Sequence, residues 1–151
     1  MSLPIASSPK YKLTIPSSKK SVTFRPFLVK EEKALMIAQH SENSDTMIST
    51  LKSVIQSCIT EQIRADELAL FDIEYIFTQL RAKSVGEKVD IVLKCDTCTD
   101  DKAQVQYTID LTKLQVTIPE NHNKTIPLFD DVGVMMKYPT LDVINKIESL
   151  D

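Results

Sequence analysis

Two thiols and two pairs of neighbouring carboxylates are the side chains of this chain whose type and spacing come nearest to chemistry. Cys95-x-x-Cys98 sets two thiolates at the spacing a zinc knuckle uses on a hairpin turn. Tetrahedral zinc wants four ligands, and no second CxxC is present. Cys58 and His122 complete a site only if the fold brings them there; otherwise a second subunit or a partner must supply the missing pair. The preferred reading of Cys95 and Cys98 is a knuckle that keeps its thiols without metal, with bound zinc as the alternative. A thioredoxin-like redox role fits less well, because that motif opens a helix near a βαβ unit, whereas this one separates two strand patterns. Asp100-Asp101 and Asp130-Asp131 could hold a hard cation or act as acid and base, yet neighbouring aspartates in turns are usually solvated. His40 and His122 stand near no serine or cysteine in a nucleophile motif. Only two glycines occur, which leaves neither a Walker loop nor a GxGxxG phosphate cradle. The expectation is therefore no enzyme, no catalytic residue and no cofactor, zinc at Cys95 and Cys98 being the one alternative.

The element that positions the CxxC is the stretch leading into it. Leu70, Ile73, Phe77 and Leu80 recur at steps of three and four, with Phe71, Tyr75 and Ile76 widening the stripe, so the spine of the fold is an amphipathic helix. After Ala82-Lys83-Ser84 and Gly86 the period changes, and Val89, Ile91 and Leu93 alternate as a strand that runs into Cys95. Ala103, Val105, Tyr107 and Ile109 alternate beyond it, which predicts a hairpin tipped by the CxxC. Upstream, Tyr11, Leu13 and Ile15 alternate, Pro16-Ser17-Ser18-Lys19 supplies turn chemistry, and Val22 and Phe24 alternate again, which reads as a short β-hairpin ending near Pro26. Residues from Val29 to about Gln39 are good helix formers, with Glu31 and Glu32 in the first turn. A second helix, N-capped by Ser44 or Asp45, carries Ile48, Leu51, Ile55, Cys58 and Ile59 on one face, which makes Cys58 a small core residue. Val116 and Ile118, then Ile126 and Leu128, predict short strands. The centre of Asp130–Pro139 predicts another, ended by Pro139, and Leu141, Ile144, Ile147 and Leu150 mark a closing helix that invites a partner or a continuation of the chain. The order of elements is α+β: an N-terminal β-hairpin, a layer of about three helices, antiparallel strands including the CxxC-tipped hairpin, and a C-terminal helix.

A chain of 151 residues, 42% hydrophobic, buries the core of one ordinary domain. Residues 1–10 are Ser/Pro-rich and read as a flexible arm, and 11–151 as a single domain. No apolar run of about 20 residues is present for a membrane span, and the N-terminus lacks a signal-peptide core, so a soluble, cytoplasmic protein is expected. Three cysteines, one of them in a helical pattern, do not make a secreted disulfide framework. The net charge of −3 is uneven: residues 1–40 hold seven Lys/Arg against two Asp/Glu, and residues 41–80 reverse that to two against seven. A basic leading segment can meet an acidic partner or nucleic acid, but facing the chain's own acidic segment is the preferred reading. With aromatics at 6% and no RNP-like strand, the nucleic-acid signal is weak.

The segments LTIPSSKKSVTFRPFLVKEEKALMIA and FDIEYIFTQLRAKSVGEKV, the CxxC hairpin and LFDDVGVMMKYPT, taken in order from about Tyr11 to Leu150, closely resemble the T4-like bacteriophage baseplate hub subunit, or hub assembly protein, family. The resemblance implies a structural or assembly role in the central hub of a contractile tail's baseplate. It implies other hub proteins and the tape-measure protein as partners, chaperone-like action during assembly in the host cytoplasm, and no reaction. It also implies that the natural chain continues past Asp151. Candidate contact surfaces are Thr23–Phe27, Gln79–Ser84 and Val134–Tyr138. The competing function is a zinc-knuckle protein that binds nucleic acid, which a basic groove formed by residues 10–33 would favour and burial of those charges against residues 61–74 would disfavour.

Overall fold

The computed structural model describes residues 8–41, 43–94, 104–119 and 122–148, apart from the side chains of Asn145 and Glu148. In chain order the elements are β1 (Tyr11–Thr14), β2 (Ser21–Phe24), α1 (Val29–Gln39), α2 (Ser44–Cys58), α3 (Leu70–Ser84), β3 (Lys88–Lys94), β4 (Gln104–Asp110), β5 (Thr125–Phe129), β6 (Val132–Met135) and α4 (Leu141–Glu148), with short 3-10 turns at Ala65–Glu67 and Leu111–Lys113. The architecture is α+β, and among the described residues the strands form three separate antiparallel pairs. β3 and β4 pair antiparallel, from Lys88 with Asp110 to Lys94 with Gln104. Cys95 and Cys98, proposed as the zinc ligands, lie outside the described residues, as do residues 1–7 of the expected N-terminal arm.

The core belongs to the first half of the chain. β1 and β2 pair Leu13 with Val22 and Tyr11 with Phe24, which turns one side of the ribbon inward. Against it pack Val54, Ile55 and Cys58 of α2, Ile59, and Ile73, Ile76 and Leu80 of α3. The outer edge of β2 is closed by the chain leaving α2: Arg25 N–H donates to the Cys58 carbonyl at 2.9 Å and Thr60 N–H to the Thr23 carbonyl at 2.8 Å. These bonds cover the Thr23–Arg25 end of that edge. Burial also pushes the Cys58 thiol above its ordinary pKa, as fits a core residue.

Three local expectations need correction. The N-cap of α2 is Asn43, not Ser44 or Asp45: its side chain accepts from Asp45 N–H at 2.9 Å and Thr46 N–H at 3.4 Å, two donors a helix start leaves without partners. Val116 and Ile118 form no strand; after the 3-10 turn the chain from Leu114 to Pro119 is irregular, because no neighbouring strand supplies a ladder. The strand before Pro139 stops at Met135, four residues short of the proline. The Pro139 carbonyl instead accepts from Leu70 N–H at 3.0 Å and so caps the start of α3.

Candidate interaction surface

Three acidic side chains tie the N-terminal ribbon and α1 to the core. Glu31 is 3% exposed; its carboxylate accepts from the Arg25 guanidinium at 3.0 Å and from Leu28 N–H at 2.8 Å, which is half of a capping box for α1. Glu61 accepts from Thr23 N–H at 2.7 Å on the β2 edge. Asp72, fully buried, takes the Ser17 N–H at 2.9 Å and the Ser17 hydroxyl in the β1–β2 turn. Acids of residues 61–74 thus do meet the basic leading segment, but through its backbone and a hydroxyl. Lys10, Lys12, Lys19, Lys20, Lys30 and Lys33 stay exposed.

Burial works against the Glu31 carboxylate, but the Arg25 guanidinium and the Leu28 N–H outweigh it and hold its pKa below 4.5. A carboxylate with a lowered folded pKa adds stability that is fully present above the unfolded value and is lost as pH falls through the folded one. Glu31→Gln should therefore flatten the acid side of the stability curve. Urea unfolding of both proteins at pH 7 and below pH 4.5 checks this, with a smaller acid-induced loss expected in the variant.

The three candidate contact segments separate. Thr23–Phe27 is structural: Phe24 is buried, Thr23 and Arg25 are bonded as above, and Phe27 packs at the core margin. Gln79–Ser84 is structural too. Leu80 and Ala82 are buried, Gln79 donates to the Leu111 carbonyl at 3.2 Å, and the Ser84 hydroxyl accepts from Phe27 N–H at 3.0 Å. Only Val134–Lys137 is open to solvent. Of the chemical candidates, Asp130-Asp131 forms an exposed two-residue turn between β5 and β6, with Asp130 at φ 44°, a backbone region aspartate tolerates. Asp100 and Asp101 lie outside the described residues. Cys58 is committed to the core, while the His122 ring stacks on Tyr138 with centroids 5.4 Å apart. Among the described residues, no group of three or more His, Cys, Asp or Glu could hold a metal ion.

What the second half offers instead is uncovered apolar surface. Across β3 and β4 the register pairs Val89 with Ile109, Ile91 with Tyr107 and Leu93 with Val105, all on one face. That face rises out of the core: Ile91 and Ile109 are half-buried, whereas Leu93, Val105 and Tyr107 are each more than half exposed. On β5 and β6 every residue is exposed. A smaller stripe on α1 consists of Val29, Met36 and Ile37, at steps of seven and eight, and the sequence reading passed over it although the spacing was there to be counted.

A family profile described as "T4 bacteriophage base plate protein" matches residues 8–151. The chain belongs to the T4 baseplate protein family. No curated protein and no solved structure matches it. This is accordingly a structural protein of the bacteriophage baseplate, and uncovered apolar faces are what a subunit of an assembly is expected to carry. Among its described residues no helix is long and apolar enough to cross a membrane.

In the baseplate protein α4 is held by polar contacts as well as by Leu141. Lys52 of α2, 12% exposed at its side chain, donates to Asp142 at 2.6 Å and to Asp66 at 2.9 Å. Burial works against the Lys52 charge, yet the two carboxylates outweigh it and raise its pKa above 10.5. Tyr138 meets Phe71 edge to face at 4.8 Å, which seats the chain just ahead of α4 on α3. Lys52→Met should leave global stability nearly unchanged, because both carboxylates it releases are exposed, while weakening α4 docking by about 1 kcal/mol. Amide exchange across residues 141–148 should then speed up roughly fivefold, with the α3 amides unaffected.

Proposed function

We propose that this baseplate protein acts in the central hub, without catalysis, by binding other hub proteins and the tape-measure protein, chaperone-like, while the tail is assembled in the host cytoplasm. The observation that carries the reading is the β3–β4 face of Leu93, Val105 and Tyr107, an apolar surface held away from a core that needs nothing from it. Such a face, lined alternately along two strands, suits an amphipathic helix or an added strand of a partner. Family membership favours this reading over the zinc-knuckle one, which calls for stoichiometric zinc and for nucleic-acid affinity that falls steeply with salt.

The test is co-expression with the hub and tape-measure proteins of the same phage, followed by native mass spectrometry that reads partners and bound metal together. A complex with either protein is expected, and Tyr107→Ser combined with Val105→Asp should dissolve it without unfolding the chain. A chain that ignores both partners, or that binds DNA with stoichiometric zinc, overturns the proposal.

A further inference from the structure

The β5–β6 hairpin has an uneven charge distribution that the β3–β4 surface does not explain. Between Thr125 and Met136 there is no charge except at the turn, where Asp130 and Asp131 stand exposed. Lys124 and Lys137 lie at the opposite end, where Met136 N–H donates to the Lys124 carbonyl at 2.7 Å; Lys124 is thereby on the face of Ile126 and Val134, and Lys137 is one residue further along the other arm. Tip and base are thus oppositely charged and about 17 Å apart, by strand rise from Thr125 to Asp130. Between them Ile126, Leu128, Phe129, Val132, Val134 and Met135 are each at least 43% exposed. An isolated two-stranded hairpin is marginal in water, so this one calls for cover.

We propose that the cover is a second copy of the chain, whose β5–β6 hairpin packs face to face and antiparallel across a two-fold axis. A two-fold interface brings the same patch of both subunits together, so the patch must complement itself. This one does: turning the second hairpin end for end lays each Asp130-Asp131 tip over the base of the other copy, where Lys124 shares the face of Ile126, Phe129, Val132 and Val134, and closes those four apolar residues between the two hairpins. Pro127 lacks an amide donor and interrupts the β5 ladder, which disfavours lengthening the sheet at the β5 edge. The dimer rests on a different surface from the hub reading and stands or falls separately from it.

The test is sedimentation velocity and native mass spectrometry of the full chain with two charge variants. One carries Lys124→Glu and Lys137→Glu, so that tip and base are both acidic. The other carries Asp130→Asn and Asp131→Lys, asparagine being chosen because it tolerates the positive φ at that position. The wild type should dimerise at micromolar concentration. Each variant alone should dimerise at least about tenfold more weakly, since exposed pairs are lost at both ends and replaced by repulsion. Mixed, the two should form a heterodimer, because acid then meets base at both ends. Circular dichroism unchanged from wild type confirms that each variant is folded. A wild type that stays monomeric, or a dimer indifferent to both variants and showing no preference for the mixed pair, overturns the proposal.

Discussion

Asp72→Ala should destabilise the protein by about 3 kcal/mol and lower its melting temperature by about 8 °C, although Asp72 touches no charged partner in its bonding. The carboxylate is fully buried at the third position of α3 and spends both oxygens on Ser17, 55 residues earlier. Truncation leaves the Ser17 N–H without an acceptor inside a half-buried turn, and such a donor loses both its bond and its water. It also removes a negative charge from the first turn of a helix, where the dipole favours one. Asp72→Asn separates these effects. Its remaining oxygen still accepts from Ser17 N–H and the serine hydroxyl can turn to accept from the amide, so the loss should be about 1 kcal/mol. Thermal melts of the two variants with Ser17→Ala, which keeps the backbone bond and loses only the hydroxyl, should rank Ala at position 72 as the most severe. Equal losses for Ala and Asn would assign the effect to charge alone.

Asp72 also marks where sequence reasoning gave out. The helix that starts at Leu70 and its core-facing stripe were legible because apolar periodicity is a property of neighbours in the chain, as were the β1–β2 hairpin and the burial of Cys58. An acid in the first turn of that helix looks the same whether it faces water or a serine turn 55 residues away, and only the packed fold distinguishes them. The Asn43 cap was missed for a milder reason: Asn43, Ser44 and Asp45 are all good caps, and a shift of one residue leaves the helical face unchanged. Val116 and Ile118 alternate like a strand but have no strand beside them, and alternation specifies a face without supplying a partner. The same logic explains the surface. Val134 to Lys137 could be read as core or contact because the pattern of β5 and β6 is that of a buried hairpin, and what would bury it is not in this chain's own core.

Core and surface substitutions should therefore behave as opposites, and the second large effect makes the contrast measurable. Ile76 is fully buried on α3 within the cluster that joins β1, β2 and α2. Ile76→Ala removes buried methyl groups and leaves a cavity that close packing on three sides cannot collapse, at about 4 kcal/mol and about 12 °C in melting temperature. That is a large share of the stability of a domain this size, so part of the variant should populate unfolded chain at 37 °C. Tyr107, 58% exposed on β4, is the larger side chain, yet Tyr107→Ser should change stability by less than about 0.5 kcal/mol because its ring already faces water. If the uncovered face serves assembly, the order reverses for partner binding: the folded fraction of Ile76→Ala binds normally, while fully folded Tyr107→Ser binds poorly. Urea titration and partner capture on the same two samples read both halves. A stability loss at Tyr107 comparable to that at Ile76 would mean that the β3–β4 face is already covered within the chain, and the argument for a partner on that face would fail.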